Sequence, residues 1–279
     1  MDIFNNLQVI GECLLDQKRT DAFRKAIFKT VKRDHVVLDA GTGSGIMALF
    51  AAKAGAKKVY AVEIASDVAT IAKKNFQANK FSNIVVLKKD LKKIQLSDVS
   101  EKIDVVIMEM LDVGMIAEQQ CFSINNLHEN KVINHTTKII PYRMDSFVEL
   151  VNYDFNFYGF YMPFPIQARN YGANKKITEV LTGMIRYDSV IFEQPVSEEV
   201  DVKINATILR DGSVNAVRLR SQIFLLPHSI KLLGTSDMNM PVVIPIRNIS
   251  VKKDNCVEIY LKYKRGEGLD KVKIWVRKK

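Results

Sequence analysis

The stretch Leu38-Asp39-Ala40-Gly41-Thr42-Gly43-Ser44-Gly45 limits what this chain can fold into more than any other. It follows the apolar run Val36-Val37 and precedes residues 46–53, rich in Ala, Leu and Met, so the glycines fall where a strand turns into a helix. Glycine there takes positive φ and lets a ligand approach the backbone, while the following helix offers free N–H groups. A dinucleotide fingerprint places its third glycine three residues after the second; here Gly45 comes two after Gly43, and Ile46 holds the expected place. Asp39 argues against a dinucleotide as well. It would repel a diphosphate, whereas it can help hold a cationic sulfonium or amino group.

The pattern continues as alternating strand and helix. Residues 58–63 read as a strand, 66–79 as a helix with Val68, Ile71, Ala72 and Phe76 at core spacing, and 84–87 and 104–108 as further strands. Strands joined by crossover helices predict a doubly wound parallel sheet. Glu63, ending the second strand, is placed to accept hydrogen bonds from ribose hydroxyls, and Asp90, ending the third, from an adenine amino group. Ile64 and Leu91 follow them and are counted with Thr42 among the cofactor contacts. Asp39 or Glu63 alone could as readily cap a helix; the glycines in strand-loop order favour the cofactor.

Beyond Pro141 the pattern becomes mainly antiparallel β, a barrel or sandwich, with strands at 200–208, 215–225, 242–246, 256–263 and 271–276 and a hairpin signal at Asp211-Gly212. The expected division is an N-terminal helical segment (1–35) closing over the cofactor site, a Rossmann-like cofactor domain (36–141) and a β-barrel-like substrate or assembly domain (142–279). The 279 residues suit two modules, each with its own core. Three cysteines, Cys13, Cys121 and Cys256, form no CxxC or Cys/His spacing, which excludes a disulfide framework and a recognisable metal site. The longest uncharged stretches, 40–52 and 155–168, are short of the ~18–20 residues that span a bilayer, and a soluble cytoplasmic protein is expected. The net charge of +10 is spread over both halves, so it suits anionic surfaces in general rather than a nucleic-acid stripe.

Glu109 and Glu118 follow the fourth strand nine residues apart, on opposite sides of a helix or of a strand. They converge only if the segment folds back, which Gly114 permits. Two carboxylates aimed at one point call for a cation between them, and a guanidinium takes a planar bidentate pair. Solvated loop charges are the other reading of the two glutamates.

The acidic residue followed by GxGxG resembles the class I S-adenosylmethionine-dependent methyltransferases. The loop carrying Glu109 and Glu118 is similar to the double-glutamate loop of protein arginine methyltransferases. Glu12-Cys13-Leu14-Leu15-Asp16-Gln17-Lys18-Arg19-Thr20, with Phe23 after it, resembles that family's helix ahead of the cofactor domain, and Asn156-Phe157-Tyr158-Gly159-Phe160 its opening of the β-domain. The resemblance implies S-adenosylmethionine as cofactor, Arg19 on its carboxylate, Glu109 among its contacts, and Glu109, Glu118 and Asp16 as catalytic residues. It implies a protein substrate, and a homodimer through the β-domain is possible. The chain departs from the family at Phe4, Ile10, Cys13 and Met110, where a tyrosine, a histidine, a methionine and a tryptophan are expected. No Thr-His-Trp loop is visible; Trp275 lies in the last strand, and His228 is at best a displaced stand-in. Histidine or another side chain is a possible acceptor. An RNA methyltransferase and a non-catalytic cofactor-binding assembly protein are the alternatives. The aromatic run from Phe155 to Phe164 suits barrel core or a subunit interface better than base stacking.

Overall fold

The computed structural model of the chain describes residues 7–167, 173–232 and 240–279. Helices α1 (Leu7–Leu15) and α2 (Gln17–Thr30) lead into β1 (Val36–Ala40), α3 (Ile46–Lys53), β2 (Lys58–Glu63), α4 (Ser66–Ala78), β3 (Ile84–Lys88), β4 (Val105–Met108), α5 (Gln120–Glu129) and β5 (Lys138–Ile140). The five strands form one parallel sheet in the order β3-β2-β1-β4-β5. β1 and β4 are buried along their whole length, as continuous apolar runs covered on both faces must be. The strand order runs outward in opposite directions from β1 and β4. That switch opens a crevice at the carboxyl ends of the strands, beneath which Asp39, Glu63 and Glu109 fall.

The rest of the described chain is antiparallel: β6 (Arg143–Tyr153), β7 (Asn156–Phe157), β8 (Phe160–Tyr161), β9 (Ile177–Val180), β10 (Ile185–Ile191), β11 (Glu199–Thr207), β12 (Gly212–Leu226), β13 (Ser229–Leu232), β14 (Val242–Val251), β15 (Cys256–Lys264) and β16 (Lys273–Lys278). The long strands β6 and β12 pair from Ala216↔Val151 to Phe224↔Arg143; β9 and β10 share the outer edge of β6, and β13 and β14 that of β12. β11, β15 and β16 make a second sheet. Val148 and Leu150 of β6, Val217 and Leu219 of β12, and Val257, Ile259 and Leu261 of β15 pack into one core between the sheets. The result is a sandwich. Among the described residues the sheets do not close, so the barrel half of the expectation gives way to the sandwich half.

The hairpin expected at Asp211-Gly212 is also corrected. β11 and β12 lie in different sheets, and the turn carries the chain from one to the other. Asp211 serves the neighbouring turn instead: its carboxylate accepts from Lys253 N at 2.8 Å and from Lys252 Nζ at 2.9 Å. The aromatic run divides, with Phe155 buried and Tyr158, Phe160, Tyr161 and Phe164 exposed on and beside the β7–β8 hairpin. No helix among the described residues is long and apolar enough to cross a membrane.

The two halves share a core. Met144, Phe192, Ile223 and Leu225 join Phe23, Ile27, Met108 and Met115 in a single cluster. Within the second half Arg265, 1% exposed, bridges elements from both sheets, donating through Nη2 to Asp188 Oδ2 of β10 at 2.5 Å and through Nη1 to the Ser197 carbonyl. Removing one member of such a buried pair strands the other. Arg265→Ala is expected to cost about 3 kcal/mol in urea unfolding, and the double change Arg265→Met with Asp188→Leu to recover most of it.

Candidate active site

One cavity lies in the crevice, and Arg19, Asp39, Gly41, Thr42, Gly43, Glu63, Ile64, Asp90, Leu91, Glu109 and Glu118 all line it. The structure thus brings most of the sequence-predicted residues to one place. Asp16 and Gly45 are not on its wall. Asp16 caps α2, accepting from Arg19 N at 3.0 Å, and Gly45 opens α3 with φ of 88°, where a Cβ would meet Phe76 Cε1 at 2.5 Å. His228 is exposed in the turn between β12 and β13 and is likewise absent from the wall.

Four strand ends supply the polar groups. Asp39, at the end of β1 and 2% exposed, accepts from Thr42 Oγ1 at 2.5 Å. Burial pushes its carboxyl up to about 7, with the Thr42 hydrogen bond opposing the rise. Glu63, at the end of β2, accepts from Gly43 N and from Ala65 N, each at 3.0 Å, which fixes the glycine loop to the second strand. Asp90 caps the short turn Leu91–Lys93 by accepting from Lys92 N at 2.9 Å. Ile64 is 57% exposed, an unusual state for an isoleucine and one that an apolar ligand face would relieve.

Arg19 comes from outside the sheet, on α2. It is 5% exposed and forms an ion pair through Nη1 with Glu109, while Nη2 donates to the Cys13 carbonyl at 2.6 Å. Burial is the largest influence and disfavours its charge, yet Glu109, Cys13 and Asp16 together outweigh it and hold the guanidinium above its ordinary value. Its Nε is buried without a hydrogen-bond partner among the described residues.

The loop after β4 contains what sequence reasoning missed. The chain reverses at Gly114, φ 66°, with the N–H donating to Ser221 Oγ at 3.0 Å and the carbonyl accepting from Tyr263 Oη at 2.9 Å. Asp112 organises the return limb, accepting from Ala117 N at 3.0 Å and from Glu118 N at 3.3 Å, and burial raises its carboxyl to about 6. Gln120, fully buried, accepts from Met110 N at 3.0 Å. The Asp-x-Gly spelling of residues 112–114 was the available signal for a turn. The sequence holds no comparable sign of Ser221 or Tyr263.

These groups fit S-adenosylmethionine. The orphaned Nε of a buried cation suits a carboxylate, the positive-φ backbone at Gly41 and Gly43 leaves room beside the chain, Asp39 and Glu63 are acceptors for a cation and for hydroxyls, and Ile64 offers an apolar face. Among the described residues no cluster of His, Cys, Asp and Glu could hold a metal.

Comparison with known proteins agrees. A profile of the ribosomal protein L11 methyltransferase (PrmA) family matches residues 19–137. A Methanocaldococcus jannaschii protein of uncharacterised function is 34% identical over 94% of this chain and 93% of its own length. Protein arginine N-methyltransferase 6 of Danio rerio is 35% identical over 54% of this chain, a stretch that is 43% of that enzyme. Among solved structures, the Trypanosoma brucei arginine methyltransferase enzyme–prozyme heterotetramer with AdoHcy superposes with a TM-score of 0.78 at 19% identity, covering 99% of both chains. Arabidopsis thaliana arginine methyltransferase 10 does so at 0.73 and 17%, covering 95% of each. The chain belongs to the class I S-adenosylmethionine-dependent methyltransferases, and its cofactor is S-adenosylmethionine. Within that class it resembles the protein arginine methyltransferases and shares a family with the full-length Methanocaldococcus protein.

A pH signature follows from the two raised carboxyls. Each binds its proton more tightly in the folded chain than in the unfolded one, so their contribution lowers stability as pH rises from about 4 through the folded values of about 6 and about 7. An ionised Asp39 costs about 4 kcal/mol against its unfolded state. Asp39→Asn is expected to raise the ligand-free unfolding free energy relative to wild type at pH 8 and to change it little at pH 4. Equal effects at both pH values in urea melts would refute the assignment.

Proposed function

We propose that this protein transfers a methyl group to a side-chain nitrogen of a protein substrate, with a guanidinium as the acceptor class. The observation that carries the reading is the presence of Glu109 and Glu118 on one cavity wall, beside the cofactor-binding groups. Two carboxylates facing one volume are best relieved by a cation that offers several N–H donors in one plane. Glu109 already takes a guanidinium partner in Arg19, which supports its chemistry toward that group.

In this reading Arg19 binds the cofactor carboxylate, the Gly41–Gly43 backbone lies along its amino-acid end, Glu63 accepts from the ribose, and Ile64, Asp90 and Leu91 surround the adenine. When bound, S-adenosylmethionine supplies a methyl group activated on a sulfonium sulfur. The chain's own residues then have two tasks. Glu109 and Glu118 accept hydrogen bonds from the acceptor's N–H groups, fixing its plane and leaving the attacking nitrogen's lone pair directed at the methyl. Glu118, on the more open limb of the loop, takes the proton that this nitrogen loses. Asp16, capping α2, acts at one remove by fixing the register of the helix that carries Arg19.

Glu118→Gln is expected to lower turnover about 100- to 1,000-fold and leave the dissociation constant for S-adenosylhomocysteine within twofold. Glu109→Gln is expected to lower turnover as strongly and also change cofactor binding, because it removes the partner of Arg19. The substrate class is read by incubating the protein with methyl-labelled S-adenosylmethionine and a cell extract, then treating samples with protease or ribonuclease. Label lost to protease supports a protein acceptor; label lost only to ribonuclease makes the protein an RNA methyltransferase, and no label with no cofactor binding makes it inert.

The exposed hairpin gives the second half an assembly role in the same reading. Tyr158 is fully exposed, with Phe160 71% and Tyr161 69% exposed, a patch suited to a second copy of the chain. Tyr158→Glu with Phe160→Glu is expected to convert a dimer to a monomer in sedimentation velocity; a wild type that sediments as a monomer refutes the assignment.

A further inference from the structure

A ring of four hydroxyls fastens the two-glutamate loop to the second half of the chain. Gly114 N–H donates to Ser221 Oγ at 3.0 Å, Ser221 Oγ lies 3.3 Å from Ser146 Oγ, and the Ser146 hydroxyl acts on Tyr187 as a donor that eases its ionisation. Tyr187 Oη lies 3.2 Å from Tyr263 Oη, and Tyr263 donates back to the Gly114 carbonyl at 2.9 Å. The peptide fixes the direction of the ring. Its N–H can only donate and its carbonyl can only accept, so Ser221 donates to Ser146, Ser146 to Tyr187, Tyr187 to Tyr263 and Tyr263 to Gly114.

The four hydroxyls come from β6, β10, β12 and β15, and so from both sheets of the sandwich. Tyr187 reaches the ring because β10 bulges between Arg186 and Asp188, which turns that side chain toward its partners. Ser146 is fully buried, and Ser221 and Tyr263 are each 3% exposed. In such dry surroundings an unmet hydroxyl is costly, so these contacts are costly to break. Burial pushes Tyr187 up to about 12 and Tyr263 well above its ordinary value, so both keep the protons they donate. A Cβ at position 114 would meet Tyr263 Oη at 2.7 Å and Tyr187 Oη at 2.8 Å, which leaves the ring no room for any residue but glycine.

We propose that Tyr263, Tyr187, Ser221 and Ser146 are positioning residues for methyl transfer: they hold the Gly114 peptide, and through it set where Glu118 stands relative to Glu109 and the cofactor. The inference rests on the two-glutamate reading above. Two more bonds carry the hold along the loop, from Gly266 N to the Met115 carbonyl at 3.0 Å and from Gly268 N to the Ile116 carbonyl at 2.9 Å. None of these groups lines the cavity itself.

The test uses Tyr263→Phe and Ser221→Ala, which remove one hydroxyl each and keep the packing, with an arginine-containing peptide as acceptor probe. Each variant is expected to lose about 10- to 30-fold in kcat, with the dissociation constant for S-adenosylhomocysteine within twofold of wild type. Because either change opens the same ring, the double variant is expected to fall no further than the worse single one. Turnover within twofold of wild type in both variants, or losses that multiply in the double variant, overturns the proposal. A wild type that methylates neither peptide nor protein sinks the two-glutamate reading. The ring is then judged by amide exchange at Gly114, which must accelerate in both variants.

Discussion

Two glutamates nine residues apart point away from each other in any regular structure, so a wall that holds both requires the chain to reverse between them. The reversal at Gly114 has a cost of its own: a peptide is turned into the interior with its N–H and carbonyl free of any helix or sheet. Both groups are met, and both partners belong to the second half of the chain. The sandwich is therefore part of the site's construction. Its sheets pack against each other through apolar side chains, and at one end they present the hydroxyls that meet the Gly114 peptide.

Arg19 and Glu109 join the two ends of the cavity in a comparable way. In the proposed reading Arg19 serves the cofactor's carboxylate and Glu109 the acceptor, and the two side chains also hold each other. A buried guanidinium and a half-buried carboxylate each need a partner, and the pair meets that need. The reading that assigns Arg19 to the cofactor thus implies that binding redistributes the hydrogen bonds of Glu109. In that reading cofactor and acceptor are linked through one ion pair.

Much of the first half was legible because its signals are local. The glycine run, the helix at residues 46–53 and the strand at 58–63 are each specified by adjacent residues, and the acidic residues at strand ends follow from that alternation. What escaped depends on distance along the chain. Ser221 and Tyr263 reach Gly114 across 107 and 149 residues, and nothing in their own surroundings marks either as different from any strand serine or tyrosine. Asp211-Gly212 misled for the opposite reason: its local spelling is that of a hairpin, but the strands it joins find better partners in separate sheets. Asp16 stands between the two cases. Family likeness points to an active-site aspartate, and the structure shows it capping the helix that carries Arg19.

The net charge of +10 would suggest an anionic partner if charge acted as a sum. It does not. Exposed charges more than roughly 8–10 Å apart are screened at physiological ionic strength, so a bound group responds to its neighbours and little else. Much of the basic excess in the second half is also engaged. Glu149 holds Arg218 at 2.8 Å and Arg220 at 3.6 Å, and Asp145 holds Arg143 at 3.2 Å and Arg186 at 3.8 Å, all on one face of the larger sheet. The cavity reverses the sign of the surface. Asp39, Glu63, Asp90, Glu109 and Glu118 face it against Arg19, Lys89 and Lys92, a local acidic balance that suits a cationic cofactor and a cationic acceptor within a basic protein.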